Sequence, residues 1–99
     1  MSSRFDELIH QSSRLSLCAT LAAAEWAEFA FLRDRLSLSD SALSKHVASL
    51  EAAGYVESDR RLDGTRHRLR VRLTDVGRAA YDGHVAALRE IVGAGVEAP

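Results

Sequence analysis

A mainly α domain with one small β-hairpin is predicted by three features of this 99-residue chain. Leu43, Val47 and Leu50 recur at spacings of four and three, which makes one apolar stripe of an α-helix, and Gly54 follows as its stop. Tyr55 to Arg60 and Arg66 to Leu73 then read as two strands around the turn chemistry of Asp63-Gly64. Beyond Thr74, Tyr81, Val85, Leu88 and Val92 recur at four, three and four, the pattern of a closing helix. Helices first, then a helix entered through a tight turn, then a hairpin and a long helix is the order of parts of a winged helix-turn-helix.

Each element has a local reason. Arg4 to His10 gives a short helix with Phe5, Leu8 and Ile9 on one side, and Ser12 or Ser13 can cap a second helix running to Ala23 with Leu15, Cys18, Leu21 and Ala22 inward. Glu25-Trp26-Ala27 is expected to be extended, a third strand beside the hairpin, before Glu28 opens the helix of Phe29, Leu32 and Leu36. Ser37-Leu38-Ser39 forms the turn into the helix of about 39–53. There Ser39 can accept from an unpaired N–H of the first turn, and Asp40 complements the positive end of the dipole.

The outer face of that helix carries Ser41, Ser44, Lys45, Ala48 and Ser49. Short hydroxyl side chains with one cation let a backbone approach another surface closely, and a major groove about 12 Å wide accepts such a helix. By itself the pattern also suits an ordinary amphipathic surface helix. His46 stands beside Lys45 and either reaches the same surface or packs half-buried between Leu43 and Leu50.

The hairpin, about 55–73, is more pointed. Period two sends Leu69, Val71 and Leu73 inward and Arg68, Arg70 and Arg72 outward as a guanidinium ladder, while Arg60, Arg61 and Arg66 cluster near the turn. From Arg60 to Arg72 six arginines face a single carboxylate, Asp63. The planar fork of arginine binds phosphate oxygens in pairs or enters a narrow minor groove. The competing explanations are an edge strand protected by charge and arginines paired with acids elsewhere. His67 has no assigned role.

The closing helix, about 74–92, begins at Thr74 as N-cap, and Ala80 and Ile91 broaden its apolar seam. A core this small cannot absorb the whole stripe, so a symmetric homodimer is expected through Phe5, Leu8, Ile9, Tyr81, Val85, Leu88 and Val92. Gly93-Ala94-Gly95 reads as a tail.

Composition bounds these expectations. At 46% hydrophobic and 27% charged the chain is globular, one domain, with a formal net charge of −1. A pI near 6.4 does not by itself favour nucleic acid, but the positive charge is concentrated in the hairpin. No apolar run approaches the roughly 20 residues of a membrane span and the N-terminus lacks a signal-peptide core. One cysteine makes no internal disulfide, so the cytoplasm is the expected address. Cys18, His10, His46, His67 and His84 lack metal-ligand spacing, Cys18 reads as a buried structural thiol, and neither an enzyme nor a cofactor is expected.

Three blocks together, Leu36-Ser37-Leu38-Ser39-Asp40-Ser41-Ala42-Leu43-Ser44-Lys45-His46-Val47, Leu50-Glu51-Ala52-Ala53-Gly54-Tyr55-Val56 and Leu73-Thr74-Asp75-Val76-Gly77-Arg78, resemble the small winged-helix regulators related to the MarR family. The resemblance covers nearly the whole chain. It implies a dimeric transcription factor, with Ser41, Ser44, Lys45 and Ser49 on the groove face and Arg61, Arg66 and Arg68 on the wing. The family's compact Asp-Arg-Arg wing is opened here, with Gly64 and Thr65 between Asp63 and Arg66, and the long terminal helices that frame an effector cleft are lacking. The DNA-facing set is then Ser39, Ser41, Ser44, Lys45, His46, Ser49, Arg60, Arg61, Arg66, Arg68 and Arg70. The expected function is sequence-specific binding of a palindromic duplex operator as a repressor, with any small-molecule effector unassigned. The alternatives are a winged-helix module that binds protein, or a thiol- or metal-responsive regulator.

Overall fold

Residues 4–97 are described by a computed structural model. In chain order the elements are α1 (Glu7–His10), α2 (Ser12–Ala22), β1 (Ala27–Glu28), α3 (Phe29–Leu36), α4 (Asp40–Ala52), β2 (Val56–Asp63), β3 (Arg66–Leu73) and α5 (Asp75–Glu97). The strands form one antiparallel sheet in the order β1-β3-β2, with Ala27 opposite Val71 and Val56 opposite Leu73. The third strand is therefore present, shifted to Ala27–Glu28.

Local chemistry sets the helix ends. Asp6 caps α1 by accepting from the Ile9 N–H at 3.1 Å. Gln11, rather than Ser12 or Ser13, caps α2, its Oε1 accepting from the Arg14 N–H at 2.9 Å. Ser39 caps α4 as expected, accepting from the Ala42 N–H at 3.1 Å, and Gly54 follows that helix at φ 80°. Thr74 caps α5, its Oγ1 accepting from the Gly77 N–H at 3.0 Å. β2 runs past the expected strand end at Arg60 to Asp63, which pairs with Arg66, so of the expected turn residues only Gly64 lies in the loop, Gly64-Thr65. Gly64 supplies the positive φ, 65°, at the first loop position.

The core lies where α2, α3 and α4 meet the sheet. Leu17, Cys18 and Leu21 of α2, Leu32 of α3, Leu43, Val47 and Leu50 of α4, and Val56, Val71 and Leu73 of the hairpin are buried. Each fully buried leucine contributes about 2 kcal/mol of transfer free energy. Leu17 was not on the expected inward face, whereas Leu15 and Ala22 pack only at its margin. Ile9, expected at a dimer interface, is 0% exposed and belongs to this core: α1 folds back so that its one inward residue is consumed within the chain. The expected tail at Gly93-Ala94-Gly95 is instead part of α5, which continues to Glu97.

Candidate nucleic-acid interface

The α4 helix buries its leucine–valine stripe and turns the opposite side outward. Ser41, Ser44, Lys45, Ala48 and Ser49 are exposed. The Ser39 hydroxyl is engaged in its cap and lies 3.3 Å from Ser41 Oγ, while Ser44, Lys45 and Ser49 have no side-chain partner among the described residues. Asp40 is tied to Arg33 of α3 at 3.1 Å, which fixes the turn between the two helices. His46 is half-buried on the flank of α4, its Nδ1 3.2 Å from Arg14 Nη1. Burial, then Arg14, then Lys45 push its pKa below the ordinary imidazole value.

The six hairpin arginines divide into two groups. Arg60, Arg61 and Arg66, near the loop, are exposed, and among the described residues their side chains make no ion pair or hydrogen bond. Arg68, Arg70 and Arg72 do face away from the core, yet they are not an open ladder. Arg68 donates to Glu28 at 2.9 Å and sits 3.2 Å from Asp63. Arg70 makes a two-pronged pair with Asp59 at 2.9 and 2.7 Å, and its hydrogen bonds hold the Asp59 carboxyl below the usual carboxylate range. Arg72 pairs with Glu57. The Arg70 and Arg72 guanidinium carbons also stack 4.3 and 4.9 Å from the Trp26 ring. The arginines were expected to face one carboxylate because the segment was bounded at Arg60; Glu57 and Asp59 lie just before it, and Glu28 arrives on β1.

Residues 13–92 match the family described as a winged helix DNA-binding domain. The chain belongs to this family.

This winged helix chain is 28% identical over 78 residues to an uncharacterised protein of Methanocaldococcus jannaschii, covering 79% of this chain and 85% of that one. It superposes on a transcriptional regulator homologue of Pyrococcus horikoshii with a TM-score of 0.85 at 22% identity, covering 94% of this chain and 91% of the other. Two further regulators share the fold: the transcriptional regulator PcaV of Streptomyces coelicolor, TM-score 0.77 at 18% identity over 94% of this chain and 64% of that one, and the transcriptional regulator BldR of Sulfolobus solfataricus, TM-score 0.72 at 24% identity over 89% and 62%. The winged helix chain thus spans under two thirds of these larger proteins. Its fold is the winged helix that these transcriptional regulators share.

Within this winged helix domain, β2–β3 form the wing and α4 is the helix that leads into it. The carboxylate partners were findable. Counting outward from a Gly64-Thr65 loop places Glu57 opposite Arg72 and Asp59 opposite Arg70, as observed. Cys18 is buried, and burial followed by Asp6 pushes its thiol up to about 11, the opposite of a reactive thiolate. His67 is exposed on the wing.

Proposed function

We propose that the protein is a dimeric, sequence-specific regulator that binds a palindromic duplex operator and represses transcription by occupying it. The observation that carries this reading is the pairing, in one winged helix domain, of an α4 face with three wing arginines: among the described residues Ser44, Lys45 and Ser49 of that face have no side-chain partner, and the side chains of Arg60, Arg61 and Arg66 make no ion pair or hydrogen bond. Lys45 and the hydroxyls of Ser41, Ser44 and Ser49 are short and polar enough to meet base edges, and the arginines to meet phosphate or enter the minor groove. Arg68 and Arg70 serve the wing indirectly, by holding its strands through Glu28 and Asp59.

Dimerisation is supported by α5. At 23 residues it is about 35 Å long, and Ile91 and Val92, near its end, are 59% and 63% exposed. Phe5, Leu8, Tyr81, Val85 and Leu88 are half-buried and leave apolar edges beside it. Two such helices related by a two-fold axis would place two α4 helices on half-sites about one helical turn apart.

Selection of bound duplexes from a random pool, with sedimentation of the protein, tests the reading. Enrichment of an inverted repeat and a dimer at about 10 µM are expected, a concentration at which an interaction of about −8 kcal/mol persists. No enrichment over random DNA would overturn it in favour of a protein-binding module, and a monomer at that concentration would overturn the dimer.

A further inference from the structure

The hydrogen-bonding state of one candidate reading residue is fixed from outside the recognition helix. In the His46–Arg14 pair the guanidinium has no acceptor to offer, so Arg14 donates and Nδ1 of His46 accepts, at 3.2 Å. The imidazole proton therefore sits on Nε2. Arg14 is not free to turn away, because its Nε donates to the Leu8 carbonyl oxygen at 2.6 Å and anchors the guanidinium between α1 and α4. Nε2 of His46 has no partner among the described residues and is not sealed from solvent, unlike the Nε of Arg68. The two cations that face the ring, Arg14 from α2 and Lys45 from its own helix, oppose a further proton, as does burial.

We propose that Arg14 locks His46 as a neutral Nε2–H donor, and that this donor meets a hydrogen-bond acceptor of duplex DNA, a base-edge atom or a phosphate oxygen, at the margin of the groove that α4 enters. The inference rests on the DNA-binding reading above and adds to it a positioning residue, Arg14, that itself contacts no DNA. A ring free to exchange tautomers would accept from an exocyclic amine as readily as it donates to an oxygen. The locked ring can only donate, so it rejects amine-bearing edges and selects acceptors.

Two measurements test this. Long-range proton–nitrogen spectra of the free protein at neutral pH should show His46 protonated at Nε2 alone. Arg14→Met should give mixed tautomers, and Arg14→Lys, which restores a donor, should recover the single form. With a duplex selected from a random pool, His46→Phe should bind about tenfold more weakly, Arg14→Met should shift in the same direction, and His46→Gln, which keeps a donor, should recover much of the loss. A base-edge contact would show as lost preference at one base pair of each half-site; a phosphate contact would show as a uniform loss with preference intact. Protonation of wild-type His46 at Nδ1, or a His46→Phe protein with unchanged affinity and preference, would overturn the proposal. If wild-type protein binds no duplex, the DNA contact falls together with the proposed function, while the spectrum still decides whether Arg14 sets the ring. Should Arg14→Met fail to fold, the wild-type spectrum and the His46 variants decide alone.

Discussion

Gly77→Ala is expected to break the joint between the wing and α5. Gly77 is buried in the first turn of α5, and a Cβ built there falls 1.9 Å from the Tyr55 carbonyl oxygen and 2.7 Å from its carbon. These are backbone atoms, so no rotamer change relieves the clash, and α5 must retreat by about 1.5 Å to restore an ordinary contact. The retreat strains two bonds that tie the same turn to the wing root: the Thr74 N–H to the Tyr55 oxygen at 3.0 Å, and the Thr74 hydroxyl to the Gly54 oxygen at 2.6 Å. Overpacking costs about 2 to 3 kcal/mol and the two weakened bonds about 1 kcal/mol each, offset by about 1 kcal/mol from replacing glycine in a helix. The net is a loss of about 3 kcal/mol, which in a domain of this size lowers Tm by about 15 °C. Gly93→Ala is the control, since nothing lies within 4 Å of its Cβ position and the helix gain of up to about 1 kcal/mol stands unopposed. Thermal unfolding followed by circular dichroism at one fixed protein concentration reads both. If both alanines raise Tm alike, the close approach at Tyr55 does not govern the joint.

Acid should destabilise the fold through His84. Its ring is fully buried, Nδ1 accepts from the Asp6 N–H at 2.9 Å, and Nε2 lies 3.3 Å from His10 Nδ1. Burial, then His10, lower its pKa against smaller opposing effects of Asp6 and Glu7. The unfolded chain thus binds the proton first: the stabilisation is complete above about pH 6.5 and drains as pH falls below it toward the folded-state value. Tm against pH should fall more steeply for wild type than for His84→Gln, and parallel curves would exclude His84 as the cause. The two arginine groups should separate cleanly: Arg66→Ala is expected to weaken DNA binding with Tm unchanged, and Arg70→Ala to lower Tm with little direct effect on binding. The reverse pattern in paired melts and titrations would mean that the Asp59 clamp opens on DNA. Lys45→Ala should relax base preference at a cost of about 1 to 3 kcal/mol, and unaltered preference in a repeated duplex selection would remove Lys45 from base reading.

The parts of this fold that were legible are those whose signal is local. The stripe of α4, the Ser39 cap, the Gly54 stop and the Thr74 cap each depend on residues within one or two turns, and each appears where the spacing places it. The errors arose where identity depends on what lies across a gap. Glu57 and Asp59 lie before the arginine-rich stretch that begins at Arg60, and only strand pairing across the Gly64-Thr65 loop brings them opposite Arg72 and Arg70. Ile9 is apolar whichever side of α1 meets the body, and only the path of the chain through Gln11 turns it into the core. The Arg14–His46 contact joins residues far apart in sequence, and neither is unusual on its own helix.

The divided wing has a consequence that salt can measure. If all six arginines and Lys45 met phosphate, a dimer would neutralise about fourteen phosphates, and log K would fall against log salt with a slope near −13. Arg68, Arg70 and Arg72 are already matched by Glu28, Asp63, Asp59 and Glu57, and releasing them would leave those carboxylates beside the DNA backbone. Arg60, Arg61, Arg66 and Lys45 remain, about eight cations in a dimer, for a slope near −7. The two values are far enough apart that a titration between about 50 and 200 mM salt separates them. A slope near −13 would show that the wing pairs exchange their carboxylates for phosphates. A slope near −7 that is unchanged in Arg70→Ala and shallower by about 2 in Arg66→Ala would show that this acidic protein binds polyanionic DNA through the few cations its own carboxylates leave unmatched.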